Sequence, residues 1–249
     1  MLGIRRPFRG PDYHSLWATQ RGADQGNHTF SHESPNTLGP EGYIADIIKG
    51  EPVTRALLAA RHRNIIWFRH PYLETGAPLA VKREIDSWLR AHGYRIAPVT
   101  IDGDDWEFAE PYDDAIARHD EPRRQRIRRE YLDHSAKAVR WYRRAARALF
   151  GRDIAYVMLL HATRLNADCI GDIHALLKRE KLRPISLAKA LADPAYRTKD
   201  PYAGKDGIDW LERWALELHR ELPWDSYSEV PKDIAAEYDK VDADRTKPN

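Results

Sequence analysis

The sequence predicts a parallel α/β fold, in which short buried strands alternate with amphipathic helices. Apolar runs bounded by charged residues occur at 65–68, 96–101 and 154–160, as expected of strands that are buried on both faces. Segments with apolar residues three and four positions apart lie between these runs and are typical of helices. Strand starts near 65 and 96, and again near 154 and 183, are about thirty residues apart, which is the period of a βα unit.

The N-terminal half contains the first of these units. Residues 1–24 have no clear periodicity, and we expect an irregular segment there. A helical pattern begins at Pro40 and resumes at Pro52, since proline suits the first turn of a helix. After the strand at 65–68, a helix is predicted from Pro78 to His92, where the following glycine is a typical C-terminal cap.

The C-terminal half repeats the pattern after a long helical stretch. A stripe of apolar residues within about 109–152 predicts a helical insertion between strands. A further strand is predicted at 183–187, followed by one more amphipathic helix. The domain organisation expected is an irregular remnant at 1–24, a main domain at 25–222 and a polar tail at 223–249.

Composition excludes several classes of protein. The chain has 249 residues, 42% of them hydrophobic, and a net charge of +2, so neither nucleic acid nor an acidic membrane surface is indicated as a partner. Cys169 is the single cysteine, which excludes an intrachain disulfide and a thiolate metal cluster. The first twenty residues lack the apolar core of a signal peptide, and no run approaches the ~18 apolar residues that span a bilayer. The chain as written is therefore expected to be cytoplasmic and without a membrane span.

Polar residues of types used in catalysis follow the predicted strands. They are His28, His32, Arg69, Asp102, Asp105 and His161. The two histidines lie four residues apart in GNHTFSHESPN, a spacing that could present both imidazoles to one metal. Each residue taken singly is more often structural than catalytic. Because active sites of parallel α/β proteins lie at the carboxyl ends of the strands, we expect these residues to converge on one rim.

Four motifs, GNHTFSHESPN, RHPY, DGDDW and LLHA, occur in this order along the chain. In that order they resemble the second to fifth motifs of polysaccharide deacetylases, the NodB-homology family also called carbohydrate esterase family four. The resemblance runs from about Gly22 to Trp214. It implies a distorted (β/α)7 barrel that binds a divalent metal, commonly zinc, and hydrolyses an N-acetyl or O-acetyl group on a glycan.

The resemblance also implies roles for the residues of the first two motifs. His28 and His32 would be metal ligands, as neutral imidazoles suit zinc. Arg69 would orient the catalytic base through a charge-assisted hydrogen bond. The backbone N–H of Tyr72, which follows Pro71, would help to hold the oxyanion.

The other two motifs would supply the proton donor. By resemblance, His161 would be the general acid that protonates the departing amine, and Asp105 would pair with it and keep a proton available near neutral pH. Trp106 would form the pocket wall. Structural roles remain open for three residues: Trp106 as core, Asp102 as a turn former and His70 as a solvated loop residue.

The sequence departs from the family at the first motif, Thr-Phe-Asp-Asp, whose aspartates supply the base and the third metal ligand. Nothing like it occurs before Gly26, where Asp12 and Asp24 are the only acidic residues. We therefore expect a barrel without its first strands and a weak zinc site. Loss of the base would reduce the rate roughly 10²- to 10⁴-fold. A truncated gene product, or one with its start codon placed too late, would account for this. If a signal peptide has been lost with the first motif, we expect the full protein in the periplasm or outside the cell.

Other functions stay open at this stage. The chain could be a non-catalytic glycan-binding or interaction module that kept the pocket. Within the enzyme class, some relatives of the family cleave ureide or formamide bonds, although DGDDW and LLHA fit the sugar branch better. Nucleic-acid binding by the arginine-rich segment at 122–149 is less favoured, because acidic residues alternate with the arginines.

Overall fold

The computed structural model describes residues 26–60 and 62–242, so the predicted remnant at 1–24 lies outside the described residues. The chain forms two compact units. The first takes in the described residues up to Thr100, with Ile154–Val157 and Ser186–Glu221. The second takes in Ile101–Asp153, Met158–Ile185 and the described residues from Leu222 onward.

The first unit contains a small parallel sheet with two helices. Strands β1 (Gly26–Asn27), β2 (Trp67–Phe68) and β3 (Arg95–Ile96) pair side by side in sequence order. Helix α1 (Pro35–Ala59) connects β1 to β2, and helix α2 (Leu79–Ala91) connects β2 to β3. These elements enclose a buried core of Tyr43, Ile47, Leu58, Ile65, Phe68, Ile85, Leu89 and Tyr94.

Helix α1 joins the two helical runs that the sequence predicts separately. Its N-cap is Ser34, whose Oγ accepts a hydrogen bond from the Asn36 N–H at 2.9 Å. The helix kinks at Gly39, which has a φ of 67° that glycine adopts without strain. It then runs on through Pro52 without a break.

The segment Ser186–Glu221 supplies the remaining helices of the first unit. It contains the short helix α6 (Leu187–Ala190), a 3₁₀ turn (Pro194–Arg197) and helix α7 (Trp210–Leu218). Asp209 caps α7 by accepting from two backbone N–H groups at 2.7 and 3.2 Å. The Trp210 N–H donates to the Val99 carbonyl at 2.8 Å, which ties this helix to the chain beyond β3.

The second unit is helical. It comprises α3 (Asp105–Ala117), α4 (Glu121–Phe150), α5 (Arg164–Arg179) and α8 (Lys232–Val241). Their apolar faces enclose Phe108, Ala109, Tyr112, Ala115, Ile127, Tyr131, Leu165, Cys169, Ile173 and Ile234. A single parallel bridge joins Ile101 to Met158. Helix α8 lies within the segment that the sequence predicts to be a polar tail.

The arginines of α4 are paired with carboxylates of the same unit. Seven of them form ion pairs: Arg123, Arg124, Arg126, Arg128, Arg140, Arg143 and Arg147. Arg143, for example, contacts Asp153 at 2.9 Å and Glu180 at 3.1 Å. The positive charge of the helix is therefore balanced locally by acidic side chains.

The predicted distorted (β/α)7 barrel is wrong. The structure is 60% helical, with eight α-helices and three short parallel strands among the residues that it describes. The apolar run at 96–101 is mostly buried and the run at 154–160 is partly buried, but β3 ends at Ile96 and the second run pairs only at the Ile101–Met158 bridge. An apolar run indicates burial, whether or not its backbone is hydrogen-bonded in a sheet. Pro98 also lacks the N–H that would extend the pairing of β3. The predicted strand at 183–187 is irregular up to the start of α6.

No helix in the described part of the chain is long and apolar enough to cross a membrane.

Candidate functional site

His28 and His32 lie in the loop that follows β1, in the first unit. Their rings are edge to face, with centroids 4.9 Å apart and planes at 70°. The loop turns tightly because Thr29 and His32 have φ values of 65° and 61°, in the left-handed region. The Thr29 N–H donates to Asn27 Oδ1 at 2.8 Å, and the His32 N–H donates to Thr29 Oγ1 at 3.1 Å. Side chains of the loop itself therefore bring the two imidazoles together.

Two residues of helix α1, Asp46 and Gly50, pack against this loop. The Asp46 carboxylate accepts from the backbone N–H groups of Phe30 and Ser31 at 3.0 and 2.9 Å. Gly50 lies where a Cβ would be 2.8 Å from the Thr29 carbonyl carbon and oxygen, so a larger residue would push the loop away. A glycine in the middle of α1 costs helix stability but allows this close approach.

Backbone contacts orient the first histidine. His28 Nδ1 lies 2.7 Å from the carbonyl oxygen of Arg69, at the end of β2. Because a carbonyl can only accept, Nδ1 carries the hydrogen and the lone pair of the neutral ring is on Nε2. Metal-binding histidines commonly have this arrangement. The Arg69 side chain itself is buried, and its Nε donates to the Ala97 carbonyl at 3.4 Å.

Pro71 and Tyr72 form a 3₁₀ turn beside the histidines. The Tyr72 ring meets the His32 ring edge to face, with centroids 4.7 Å apart. Tyr72 and Leu73 have φ values of 54° and 58°, which are strained for residues with side chains. Gly207 packs behind this turn, since a Cβ there would lie 1.6 Å from the Tyr72 carbonyl oxygen. Surrounding contacts therefore hold a backbone conformation that the sequence alone disfavours.

Arg213, a residue that the sequence did not indicate, holds the same turn. Its guanidinium is fully buried and donates to the Leu73 carbonyl at 2.6 Å and to Thr75 Oγ1 at 3.0 Å. Asp200 balances its charge at 3.0 Å and also binds the buried Lys82 at 2.5 Å. This buried ion network fixes the chain that follows Tyr72.

His70 is buried, contrary to the alternative of a solvated loop residue. It is 1% exposed and its Nδ1 lies 3.0 Å from the Tyr43 hydroxyl. Burial, with the positive charges of Arg213 and Lys82, lowers the pKa of His70 to about 3. His70 is therefore neutral at physiological pH.

The described residues contain no group of three or more His, Cys, Asp or Glu side chains that could hold a metal ion. His28 and His32 fit two of the ligands of a catalytic zinc, which takes three from the protein. Asp12 and Asp24 lie outside the described residues.

Asp105 and His161 are in direct contact in the second unit. His161 Nδ1 lies 2.8 Å from Asp105 Oδ1, and the His161 backbone N–H donates to Asp105 Oδ2 at 2.7 Å. The Asp105 side chain is 1% exposed, whereas that of His161 is 27% exposed. The carboxylate therefore sits behind the imidazole and holds it by both ring and backbone.

Two further residues complete this arrangement, and no sequence motif indicated them. Asn166, on the first turn of α5, donates from Nδ2 to Asp105 Oδ2 and, at 2.8 Å, to the His161 carbonyl. Tyr131, in the middle of α4, donates to Asn166 Oδ1 at 2.5 Å. Asn166 lies five residues beyond His161 and Tyr131 belongs to the predicted insertion, so neither stands out in the sequence.

The acidic residues next to Asp105 in the chain have different surroundings. Burial, then the negative charges of Asp104 and Asp105, raises the pKa of Asp102 to about 7. Asp104 contacts the buried His134 at 3.1 Å. Trp106 packs edge to face on Tyr238, with ring centroids 5.0 Å apart.

The structure thus brings the predicted residues together in two sets. The first contains His28, His32, Arg69, Pro71 and Tyr72, and the second contains Asp105, Trp106 and His161. That the two sets meet at one rim stays a prediction.

No family model matches the chain, and neither does any curated protein or solved structure.

Proposed function

We propose that the chain is a metal-dependent hydrolase of the polysaccharide deacetylase type, which removes N-acetyl or O-acetyl groups from a glycan. The observation that carries the proposal is the pair of a buried Asp105 and a part-exposed His161, 2.8 Å apart. The order of the four motifs supports it. Because no Thr-Phe-Asp-Asp motif occurs in the chain as given, we expect its activity to be lower than that of family members that contain the motif.

The pair has the chemistry of a general acid. His161 donates through Nδ1 to the carboxylate of Asp105, so Nε2 is the nitrogen that gains and loses the second proton. The negative charge of Asp105 stabilises the doubly protonated imidazolium. His161 then protonates the amine or alcohol that leaves when the acetyl carbon–heteroatom bond breaks.

The residues of the first unit hold the acetyl group in this proposal. His28 and His32 would hold a divalent metal, zinc in the first instance. When bound, such a metal supplies Lewis-acid polarisation and lowers the pKa of its water. The Tyr72 N–H would donate to the developing oxyanion, and Arg69 would supply the positive charge that orients a carboxylate base in family members that contain one.

Acetate release from N-acetylchitooligosaccharides in the presence of zinc tests the proposal. A His161→Gln variant should lose roughly 10²- to 10⁴-fold in rate, because proton donation to the leaving group is removed. His92→Gln, at an exposed position, is the matched control and should keep the parent rate. An unchanged rate in His161→Gln would refute the assignment, and rates equal to those of family members that contain the first motif would refute the expected lower activity.

Zinc titration by calorimetry tests the metal site separately. His28→Ala and His32→Ala should each abolish measurable binding, whereas His92→Ala should not. Glycan binding that a chelator does not affect, with no acetate released, would instead support the non-catalytic glycan-binding alternative.

A further inference from the structure

Asp105 is a buried carboxylate in an acidic neighbourhood. The residue is 0% exposed, and Asp104 and Asp102 lie one and three positions before it in the chain. A carboxylate persists in such surroundings only if hydrogen-bond donors surround it.

Two donors contact Oδ2 of the Asp105 carboxylate, the His161 backbone N–H and the Asn166 Nδ2. They use Oδ2 as an acceptor, which leaves Oδ1 facing the His161 ring at Nδ1, 2.8 Å away. With Oδ1 as the acceptor of that contact, His161 holds its hydrogen on Nδ1.

Asn166 can serve this role in only one orientation. Its Nδ2 faces two acceptors, the Asp105 carboxylate and the His161 carbonyl, while its Oδ1 faces the Tyr131 hydroxyl. If the amide were flipped, Oδ1 would face the two acceptors and repel both. The Tyr131 hydroxyl, which donates to Oδ1, opposes that flip.

Both residues are fixed by their own elements. Asn166 is 4% exposed, and its backbone N–H donates to Oγ1 of Thr163, the N-cap of α5, at 3.2 Å. Tyr131 is 1% exposed in the apolar face of α4. The amide is thus set between two helices before any ligand binds.

We propose that Asn166, oriented by Tyr131, is a positioning residue that keeps the Asp105 carboxylate aligned, so that Oδ1 accepts from His161 and His161 holds its hydrogen on Nδ1. The role is distinct from packing, because it depends on the two N–H bonds of the amide and on its direction. It connects the long arginine-rich helix to the proton donor of the candidate site. The proposal rests on the proposed function only in that the Asp105–His161 pair takes part in catalysis.

Nitrogen-15 NMR of the histidine side chains of the full chain tests the proposal without any turnover. The His161 signals are assigned by their loss in His161→Gln, since the chain has 11 histidines. At a pH where the ring is neutral, the parent protein should show a single tautomer with hydrogen on Nδ1. Asn166→Asp, which keeps the shape but lacks the N–H donors, should replace this tautomer by a mixture.

Tyr131→Phe removes only one hydroxyl and should change the tautomer ratio in the same direction. Tyr112→Phe is the matched control, because it also removes a buried tyrosine's hydrogen bond to a side-chain oxygen, that of Asp168 at 2.6 Å, but the Tyr112 hydroxyl bonds no member of the network. It should leave the His161 signals unchanged. Backbone amide spectra verify that each variant is folded, and if Asn166→Asp does not fold, Tyr131→Phe decides.

Parent-like His161 signals in folded Asn166→Asp or in Tyr131→Phe would overturn the proposal. A change of tautomer in both variants, with Tyr112→Phe unchanged, would support it. Acetate release is measured in parallel. If the tautomer changes as expected while the parent chain releases no acetate, the positioning role stands and the proposed function fails.

Discussion

Replacement of Arg213 by methionine tests the idea that a buried ion network holds the turn at Tyr72. The change removes hydrogen bonds to Leu73 and Thr75 and one ion pair with Asp200. Breaking a buried pair typically costs 3–5 kcal/mol. Because Lys82 still binds Asp200, we expect the lower end, a loss of about 3 kcal/mol in the free energy of unfolding.

Urea unfolding at pH 7 measures this loss. Arg90→Met, at an exposed position of α2, is the matched control and should change the free energy of unfolding by no more than about 0.5 kcal/mol. Arg213→Lys keeps the charge but cannot reach all the acceptors at once, so its loss should be intermediate. A loss below about 1 kcal/mol in Arg213→Met would refute the reasoning.

Three further predictions concern pH and packing. The pKa of His70 in the folded chain, about 3, lies below its ordinary value of 6.5, so the unfolded state binds more protons between these values. The free energy of unfolding should therefore decrease as the pH is lowered below about 6.5. His70→Gln should reduce this decrease by about 1.4 kcal/mol per pH unit, as measured by urea unfolding. The pKa of Asp102, about 7 in the folded state, is raised from 3.8, so the folded state binds more protons between these values, and the stability that the group contributes at low pH is lost as pH rises from 3.8 to about 7. Asp102→Asn should accordingly be more stabilising at pH 8 than at pH 4, and an equal effect at both would contradict the assignment. Gly207→Ala should lower stability by about 3 kcal/mol because its Cβ would overlap the Tyr72 carbonyl, whereas Gly171→Ala in α5, with no atom within 4 Å, should raise it by about 0.5–1 kcal/mol; equal melting temperatures would contradict this.

The helices and strands of this chain differ in how far the sequence can predict them. The helix predicted at Pro78–His92 closely matches α2, because its apolar residues repeat at helical spacing over three turns. The apolar runs were a poorer guide. The run at 154–160 is partly buried yet pairs by a single bridge, since hydrophobicity reports removal from water and not which backbone groups are hydrogen-bonded.

The sequence predicts only those parts of the candidate site whose residues lie close together in a local motif. His28 and His32 are four residues apart, so a single turning loop brings their rings together. Arg213 and Asn166 gave no such signal. Arg213 contacts Leu73 and Thr75, and Asn166 contacts Asp105, all more than sixty residues away along the chain. An arginine beside tryptophans in an amphipathic helix would ordinarily be expected at the surface.

The close approach of the histidine loop to Gly50 has a consequence for anyone who engineers this protein. Position 50 is 18 residues beyond His32, and a mutational library would treat it as an ordinary surface position of α1 that is best filled by a good helix former. Any such substitution would trade a gain in helicity for displacement of Thr29 and, with it, of both imidazoles. A screen for thermal stability alone could therefore enrich proteins that have lost the site, and screening should pair melting temperature with a metal-binding readout.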